Sequence, residues 1–265
     1  VEELLAHNLS LRRQRIALQR FRAPVLGGKG KQVADFVAAL PFTLTGAQQR
    51  VYKQIRDDLK KPSPMLRLVQ GDAGSGKTAV AAMAAMLAAE AGKQAALAAP
   101  TELLAEQHLA NLRQWLEPLG VRVAWLAGKV TGKARTEVLT QVASGEAQVV
   151  VGTHALMQEA VVFHDLALAI VDEQHRFGVQ QRHKLNEKGN NPNVLYMTAT
   201  PIPRTLAITT MGEMDVSVLD QMPDGRKPIK TIWNKSDKIE NVLEFIRKQM
   251  DNGQQAYIIT PLIEK

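Results

Sequence analysis

The sequence contains no cysteine, few aromatic residues and no long apolar run. Without cysteine the 265-residue chain can form no disulfide, and a reducing interior compartment is compatible with it. The most apolar helical stretch, AVAAMAAMLAA, is mostly alanine and ends at Glu90, which makes it too short and too weakly hydrophobic to cross a bilayer. No membrane partner is therefore expected. The chain begins with Val1 and shows no signal peptide, so we expect a piece of a longer protein.

The charge balance is basic. The chain has 33 lysines and arginines against 26 aspartates and glutamates, a formal net charge of +7. A positive protein suits a polyanionic partner, although many proteins are this basic and the charge alone decides little. The basic residues crowd the first segment, at Arg12, Arg13, Arg15, Arg20 and Arg22.

Hydropathy patterns predict an α/β fold with a parallel sheet and helices on both of its faces. Predicted strands are MLRLVQ, AALAAP, VRVAWLAG, AQVVVGT, ALAIVDE and NVLYMTAT, and helical segments such as TELLAEQHLANLRQWL and ARTEVLTQVASG lie between strands. We expect residues 1–40 to form a helix followed by an exposed linker, RAPVLGGKGKQ, and residues 41–222 to form the main domain. Residues 223–265, with strands IKTIW and QAYIIT around a helix, are expected to open a second α/β domain.

The segment GDAGSGKT follows a predicted strand and precedes a predicted helix, which is the arrangement of a phosphate-binding loop. Its glycines allow a tight turn whose backbone N–H groups surround phosphates, and the helix adds its positive end. Its lysine can reach the β and γ oxygens, and its threonine can hold Mg²⁺. The predicted ATP-binding residues are Gly71, Asp72, Ala73, Gly74, Ser75, Gly76, Lys77 and Thr78.

Two adjacent carboxylates, Asp172 and Glu173, end the apolar strand ALAIVDE. Since the carboxyl ends of parallel strands meet at one edge of the sheet, this pair should lie near the phosphate loop. Asp172 is the candidate Mg²⁺ ligand together with Thr78, and Glu173 is the candidate base that orients and deprotonates the attacking water. His175 is either a polar contact at the rim of the core or a residue that connects the ATP site to another element.

Six segments resemble, in order, the motor motifs of superfamily two helicases. They are FTLTGAQQRV, GDAGSGKT, APTELLAEQH, VGTHALMQ, VDEQHRFGVQQR and MTATPIPRT. DEQHRFG together with TATPIPRTLA is most similar to the RecG family of branched-DNA translocases, with the transcription-repair coupling translocases as the next most similar group. The likeness is dense from Pro41 to about Pro223, and the helix VEELLAHNLSLRRQR is similar to the one preceding the motor in that family.

The resemblance implies a RecA-like fold and an ATP-dependent DNA helicase that uses ATP and Mg²⁺, acts on branched or forked DNA and works as a monomer on the nucleoid in the bacterial cytoplasm. It further implies that Gln48 reads the adenine edge. Thr101, Thr153 and His154 would contact DNA, with helix capping as the competing role for Thr101. Thr198 and Thr200, with His175, would couple hydrolysis to movement. The resemblance also places the wedge domain before Val1 and the arginines that complete the ATP site beyond Lys265, so weak turnover is expected of this chain alone.

Two other classes of function remain open. A P-loop kinase would need a lid and an acceptor site, whereas this chain carries the threonine-bearing segments PTELL, GTH and TATP. A non-enzymatic nucleic-acid-binding module would leave Lys77, Thr78, Asp172 and Glu173 without a role. With 5% aromatic residues, the chain also has few candidate stacking platforms for single strands.

Overall fold

A computed structural model of the chain describes residues 6, 9, 10, 13, 16, 20–28, 30–173, 176–177, 184–200, 214–223, 230–235 and 238–259. The chain divides into two compact units, Val1–Asp224 and Gly225–Lys265. Among the helices that can be described, none combines the length and the apolarity that a membrane span requires.

The first unit alternates helices and strands. The helices whose two ends both lie among its described residues include α1 (Lys31–Ala39), α2 (Gly46–Leu59), α3 (Lys77–Glu90), α4 (Glu102–Leu116) and α5 (Gly132–Ser144), with 3-10 turns at Glu117–Leu119 and His154–Met157. Its strands are β1 (Leu66–Gly71), β2 (Gln94–Ala98), β3 (Val123–Leu126), β4 (Val149–Gly152), β5 (Leu166–Asp172), β6 (Asn193–Thr198) and β7 (Asp215–Leu219). The second unit contains α6 (Ile239–Asp251).

The seven strands form one sheet in the order β3-β4-β2-β5-β6-β1-β7, and every neighbouring pair is parallel. The predicted parallel α/β fold is therefore confirmed. The six predicted strands of the first unit are all present, and β7 is an additional strand that the hydropathy pattern did not predict. Because the strands are parallel, all of their carboxyl ends lie along one edge of the sheet.

Alternate residues of the strands supply two separate cores, one on each face of the sheet. Val69, Leu97 and Ile170 pack with α1–α4, whereas their neighbours Leu68 and Val171 pack on the other face with Val142 of α5 and the turn at His154–Met157. This is the two-residue period of a strand with both faces covered. The prediction of helices on both faces is confirmed.

Helix α3, which starts at the phosphate loop, is buried on all sides. Every residue from Ala79 to Ala89 is buried, and seven of these eleven are alanine. A helix that is apolar all round belongs in an interior. Its small side chains let α3 lie against the alanine-rich β2 and the helices around it. The start of α3 is therefore held firmly below the phosphate loop.

The segment RAPVLGGKGKQ is not the exposed linker that its glycines and lysines predict. Leu26 is fully buried, and the backbone N–H groups of Ala23 and Leu26 donate to the carbonyls of Pro62 and Leu59. The segment is a strap across the end of α2. Burial of the apolar side chains of Ala23 and Leu26 keeps the segment on the protein surface, although its glycines favour turns. Of the helix predicted over residues 2–21, residues 6, 9, 10, 13 and 16 are helical, whereas Arg20 and Phe21 form a turn and a bend. The others, including Arg12 and Arg15, lie outside the described residues.

In the second unit the predicted helix is present as α6, but the two predicted strands are wrong. Residues 230–233 and 255–259 have no strand structure, and Trp233 and Ile259 are 79% and 93% exposed. A strand exists only by pairing, and neither segment has a partner strand among the described residues.

Candidate active site

The phosphate loop connects β1 to α3, and its backbone needs glycine at two points. Gly76 has a φ of 87°, and a Cβ there would lie 2.0 Å from Nε2 of Gln48. A Cβ on Gly71 would lie 2.6 Å from Oγ of Ser75, whose N–H donates to the carbonyl of Asp72 at 3.0 Å. These contacts fix a tight loop with Asp72, Ala73 and Gly74 exposed at its tip and Ser75 buried beneath.

Lys77, the first residue of α3, directs its ammonium back into this loop. Its Nζ donates to the carbonyl of Gly71 at 2.6 Å and to that of Asp72 at 3.1 Å. Burial lowers the pKa of Lys77, while the negative charges of Asp172, Glu173 and Asp72 act in the opposite direction. The ammonium of Lys77 is therefore close enough to interact electrostatically with the acidic pair Asp172 and Glu173. This proximity is expected because the parallel strands end at the same edge of the sheet.

Asp172 is the last residue of β5 and is 7% exposed. Its Oδ1 accepts a hydrogen bond from the backbone N–H of Glu173 at 3.0 Å. Its Oδ2 lies 2.7 Å from Nε2 of His108, a buried residue of α4. Nδ1 of the same imidazole lies 3.4 Å from Oγ1 of Thr78. Asp172 and Thr78 are therefore joined through one histidine.

Glu173 occupies a backbone conformation that is unusual for a residue other than glycine, with a φ of 48°. Its Oε1 accepts from the N–H of Ala199 at 3.0 Å, and its Oε2 accepts from the hydroxyl of Thr198 at 3.2 Å. The N–H of Thr200 donates to the same threonine oxygen at 3.1 Å. The second carboxylate is thus bound to the end of β6, the segment in which Thr198 and Thr200 were predicted to act.

The donor set suits Mg²⁺ bound together with phosphates. In the part of the chain that the structure describes, no group of three or more His, Cys, Asp or Glu could hold a metal by itself. Mg²⁺ typically keeps several waters and takes one or two carboxylates plus substrate phosphates. One hydroxyl, Thr78, and one carboxylate, Asp172, fit that pattern.

Gln48 is buried and its amide is already engaged. Its Oε1 accepts from the N–H of Thr45 at 2.9 Å, completing a capping box at the start of α2. Its Nε2 donates to the carbonyl of Ser75 at 2.9 Å. In this structure the amide supports the phosphate loop, and reading of adenine by Gln48 stays a prediction.

The residues predicted to contact DNA lie in different environments. Thr101 is exposed and caps α4, since its hydroxyl accepts from the N–H of Leu104 at 3.3 Å. His154 is exposed, whereas Thr153 is 2% exposed and its hydroxyl has no hydrogen-bond partner among the described residues. Their DNA contacts stay predictions. His175 lies outside the described residues.

Sequence reasoning missed two residues near the site. His108 lies on the buried face of α4 with Ala105 and Leu112, so a polar side chain within an apolar stripe was the available signal. Gln221 follows β7, and its Oε1 accepts from the N–H of Ala47 at 2.9 Å. It lines a cavity of about 200 Å³ next to the phosphate loop, with Gly71, Asp72 and Ala199. Nothing local in the sequence marked this residue.

Comparison with known proteins places this geometry in a family. The DEAD/DEAH box helicase model matches residues 45–208. ATP-dependent DNA helicase RecG of Pasteurella multocida (strain Pm70) is 53% identical over 269 residues, covering 100% of this chain and 39% of the relative. The RecG of Bacillus subtilis (strain 168) is 55% identical over 235 residues, covering 89% of this chain and 34% of the relative. The chain thus spans about two fifths of the length of these curated relatives or less.

Solved structures agree with the sequence relatives. A structure of RecG bound to a three-way DNA junction superposes with a TM-score of 0.88 at 40% identity, covering 99% of this chain and 35% of that one. DEAD-box helicase Mss116, at 18% identity and a TM-score of 0.63 over 84% of this chain, shares the fold. The RecA-like fold and the resemblance to RecG helicases are therefore both confirmed. The chain belongs to the DEAD/DEAH box helicase family.

Proposed function

We propose that this chain carries the ATP-binding motor lobe of an ATP-dependent DNA helicase of RecG type, which couples ATP hydrolysis to movement on branched DNA. The observation that carries the proposal is the arrangement at the carboxyl edge of the sheet. Lys77 of the phosphate loop lies within electrostatic reach of Asp172 and Glu173, and Glu173 is hydrogen-bonded to the end of β6. The carboxylate of Glu173 thus lies near the phosphate loop and is also bonded to the end of β6, a segment outside that loop.

Each residue of the site has a role in hydrolysis. Lys77 neutralises the β and γ phosphate oxygens, and the backbone N–H groups of residues 72–77 surround the phosphates. Thr78 and Asp172 would hold Mg²⁺, which would offset the negative charge of the phosphates. Glu173 accepts a hydrogen bond from the attacking water and takes its proton.

The coupling to movement runs through Glu173. Its carboxylate contacts Thr198 and Ala199, so a change in the position of Glu173 during hydrolysis changes the end of β6. We propose that residues 41–222 form the motor lobe, that residues 223–265 begin the second lobe and that residues 1–40 connect to a preceding domain. Arginines of the second lobe complete the site, and an arginine finger typically contributes about 10³ to 10⁵ in turnover.

The proposed DNA partner is branched or forked, and the protein acts as a monomer on the bacterial nucleoid in the cytoplasm. The net charge of +7 supports binding to a polyanion. Among proteins similar to this chain, a RecG was solved bound to a three-way DNA junction. The exposed residues Thr101 and His154 are proposed to contact the phosphate backbone of the DNA. Such contacts position DNA without reading its sequence.

The test is nucleotide binding and ATP turnover, measured with and without forked DNA. We expect a fluorescent ATP analogue to bind the wild-type chain and to bind Lys77→Ala roughly 100-fold more weakly, since a hydrogen bond to a charged group is lost. Glu173→Gln should retain binding and lose turnover. Glu117→Gln, at an exposed acid in the 3-10 turn that follows α4, is the matched control and should behave as wild type.

The contrary outcomes are specific. Turnover that ignores DNA but increases with a small-molecule acceptor would contradict the helicase proposal and favour a P-loop kinase. DNA binding that survives without any nucleotide binding would favour a non-enzymatic module. Equal stimulation by linear duplex and by forked DNA would retain the ATPase but remove the preference for branches, which would favour another superfamily two DNA translocase over the RecG type.

A further inference from the structure

His108 stands between the two proposed Mg²⁺ ligands, although it belongs to neither the phosphate loop nor the acidic motif. It lies in the second turn of α4, and the residue is 7% exposed. Nε2 is 2.7 Å from Oδ2 of Asp172, and Nδ1 is 3.4 Å from Oγ1 of Thr78. One imidazole therefore contacts both groups that are to hold the ion.

Hydrogen-bond chemistry assigns the direction of both contacts. The carboxylate of Asp172 can only accept, so Nε2–H of His108 donates to it. In the tautomer that carries its proton on Nε2, Nδ1 is an acceptor, and the hydroxyl of Thr78 donates to it. A threonine that donates its proton to the ring turns its oxygen lone pairs away from the ring. They are then available to a cation on the other side.

The second oxygen of Asp172 is also fixed, by the N–H of Glu173 at 3.0 Å. The carboxylate is thus held at both oxygens and keeps further lone pairs for an ion. Groups that orient ligands in this way typically change metal affinity or activity by 10- to 100-fold when they are removed.

We propose that His108 is a positioning residue that holds Asp172 and Thr78 in the arrangement that binds Mg²⁺ together with the nucleotide. The inference rests on the proposed nucleotide-binding function of this site. It adds to the site a residue of α4 that contacts the ligands and not the ion, the phosphates or the water.

The test measures the Mg²⁺ dependence of binding of a fluorescent ADP analogue, which does not require turnover. We expect wild-type protein and His108→Ala to bind the analogue with similar affinity in EDTA. The Mg²⁺ concentration that half-maximally strengthens binding should rise about 10- to 100-fold in His108→Ala. His108→Gln should stay within roughly threefold of wild type, because its amide offers both a donor and an acceptor.

Leu112→Ala is the control for a purely structural effect. Leu112 lies one turn further along α4, is 1% exposed and belongs to the core. This substitution should lower the unfolding temperature and leave the Mg²⁺ dependence unchanged.

Three outcomes would overturn the inference. His108→Ala with the Mg²⁺ dependence of wild type shows that the ring does not position the ligands. Leu112→Ala shifting the Mg²⁺ dependence as much as His108→Ala shows that only the packing of α4 matters. No binding by the wild-type chain, with or without Mg²⁺, would overturn the proposed function as well, whereas the first two leave that proposal intact.

Discussion

At the edge of the sheet where the strands begin, two buried polar side chains each make three hydrogen bonds, whereas at the edge where the strands end two buried hydroxyls make none among the described residues. At the amino edge, Arg67 donates two hydrogen bonds to Asp58 and a third to Ser217. Asn193 accepts from the N–H of Met65 and donates to the carbonyls of Pro24 and Ala167. These networks fasten strands to α2 and to the strap.

The carboxyl edge, in contrast, combines hydrogen-bonded side chains such as Gln48 with strained or unpartnered ones. The hydroxyls of Ser75 and Thr153 are buried without a hydrogen-bond partner in the described part of the chain. Burial lowers the pKa of Lys77, and Glu173 has a positive φ. Each of these features costs folding free energy, and such costs are typical of functional sites. The difference shows that the residues whose hydrogen bonds stabilise the fold lie at the amino edge of the sheet, whereas the proposed catalytic residues lie at its carboxyl edge.

The largest expected effect is on turnover at the carboxyl edge. Glu173→Gln should lower DNA-stimulated turnover about 10²- to 10⁴-fold, because an amide cannot take the proton of the attacking water. The free energy of unfolding should hardly change, since the amide keeps an oxygen for the N–H of Ala199. Steady-state ATPase and urea unfolding measure the two quantities. A variant with near wild-type turnover would remove Glu173 from the proposed role.

The next largest effect is on stability at the amino edge. Asp58→Ala leaves the buried guanidinium of Arg67 without its carboxylate, so the free energy of unfolding should fall by about 3–5 kcal/mol. Asp57→Ala is the matched control, because its partner Lys53 is exposed and the pair is solvated. Equal losses in the two variants, measured by urea unfolding, would contradict the view of this edge as the stabilising one.

A smaller effect of opposite sign is expected at Thr153. Replacement by valine removes a buried, unpartnered hydroxyl at nearly constant volume, so the free energy of unfolding should rise by up to about 1 kcal/mol. Thr43→Val, at an exposed position, should change little. A clear loss of stability in Thr153→Val would show that the hydroxyl is satisfied, and a loss of DNA affinity would support its predicted DNA contact.

The smallest effect concerns the pH dependence of stability. Burial raises the pKa of Tyr52 to about 12 from 10.0 in the unfolded chain, so the folded state favours the neutral phenol. Its contribution is complete below pH 10 and is lost as the pH rises towards about 12. Tyr52→Phe should therefore flatten the fall in stability over that window. Tyr257→Phe, at a position 86% exposed, should not.

Local patterns were sufficient to predict the sheet and the phosphate loop. The six strands of the first unit carry apolar runs, and GDAGSGKT determines its own loop geometry through two glycines. The carboxyl ends of parallel strands then bring Asp172 and Glu173 to that loop. What could be predicted depends on residues close together in the chain.

The features that were not predicted depend on distant residues. In β7, Ser217 is buried and its neighbours Val216 and Val218 are exposed, which inverts the usual pattern because the serine is bonded to Arg67. The role proposed for His108 depends on its contact with Asp172, which is 64 residues away in the sequence. The strap was mistaken for a linker because Leu26 is buried by α2, a contact that no nearby residue reveals.

The most direct test of the separation between the edges is the stabilisation that Mg-ATP confers on Lys77→Ala and on Asp58→Ala, measured by urea unfolding. A ligand at 100 times its Kd stabilises by about 2.7 kcal/mol. We expect this gain in wild type and in Asp58→Ala, despite the lower baseline of the latter. Lys77→Ala, whose baseline stays near that of wild type and whose binding is about 100-fold weaker, should gain only about 0.4 kcal/mol. A full gain in Lys77→Ala, or none in Asp58→Ala, would contradict the account.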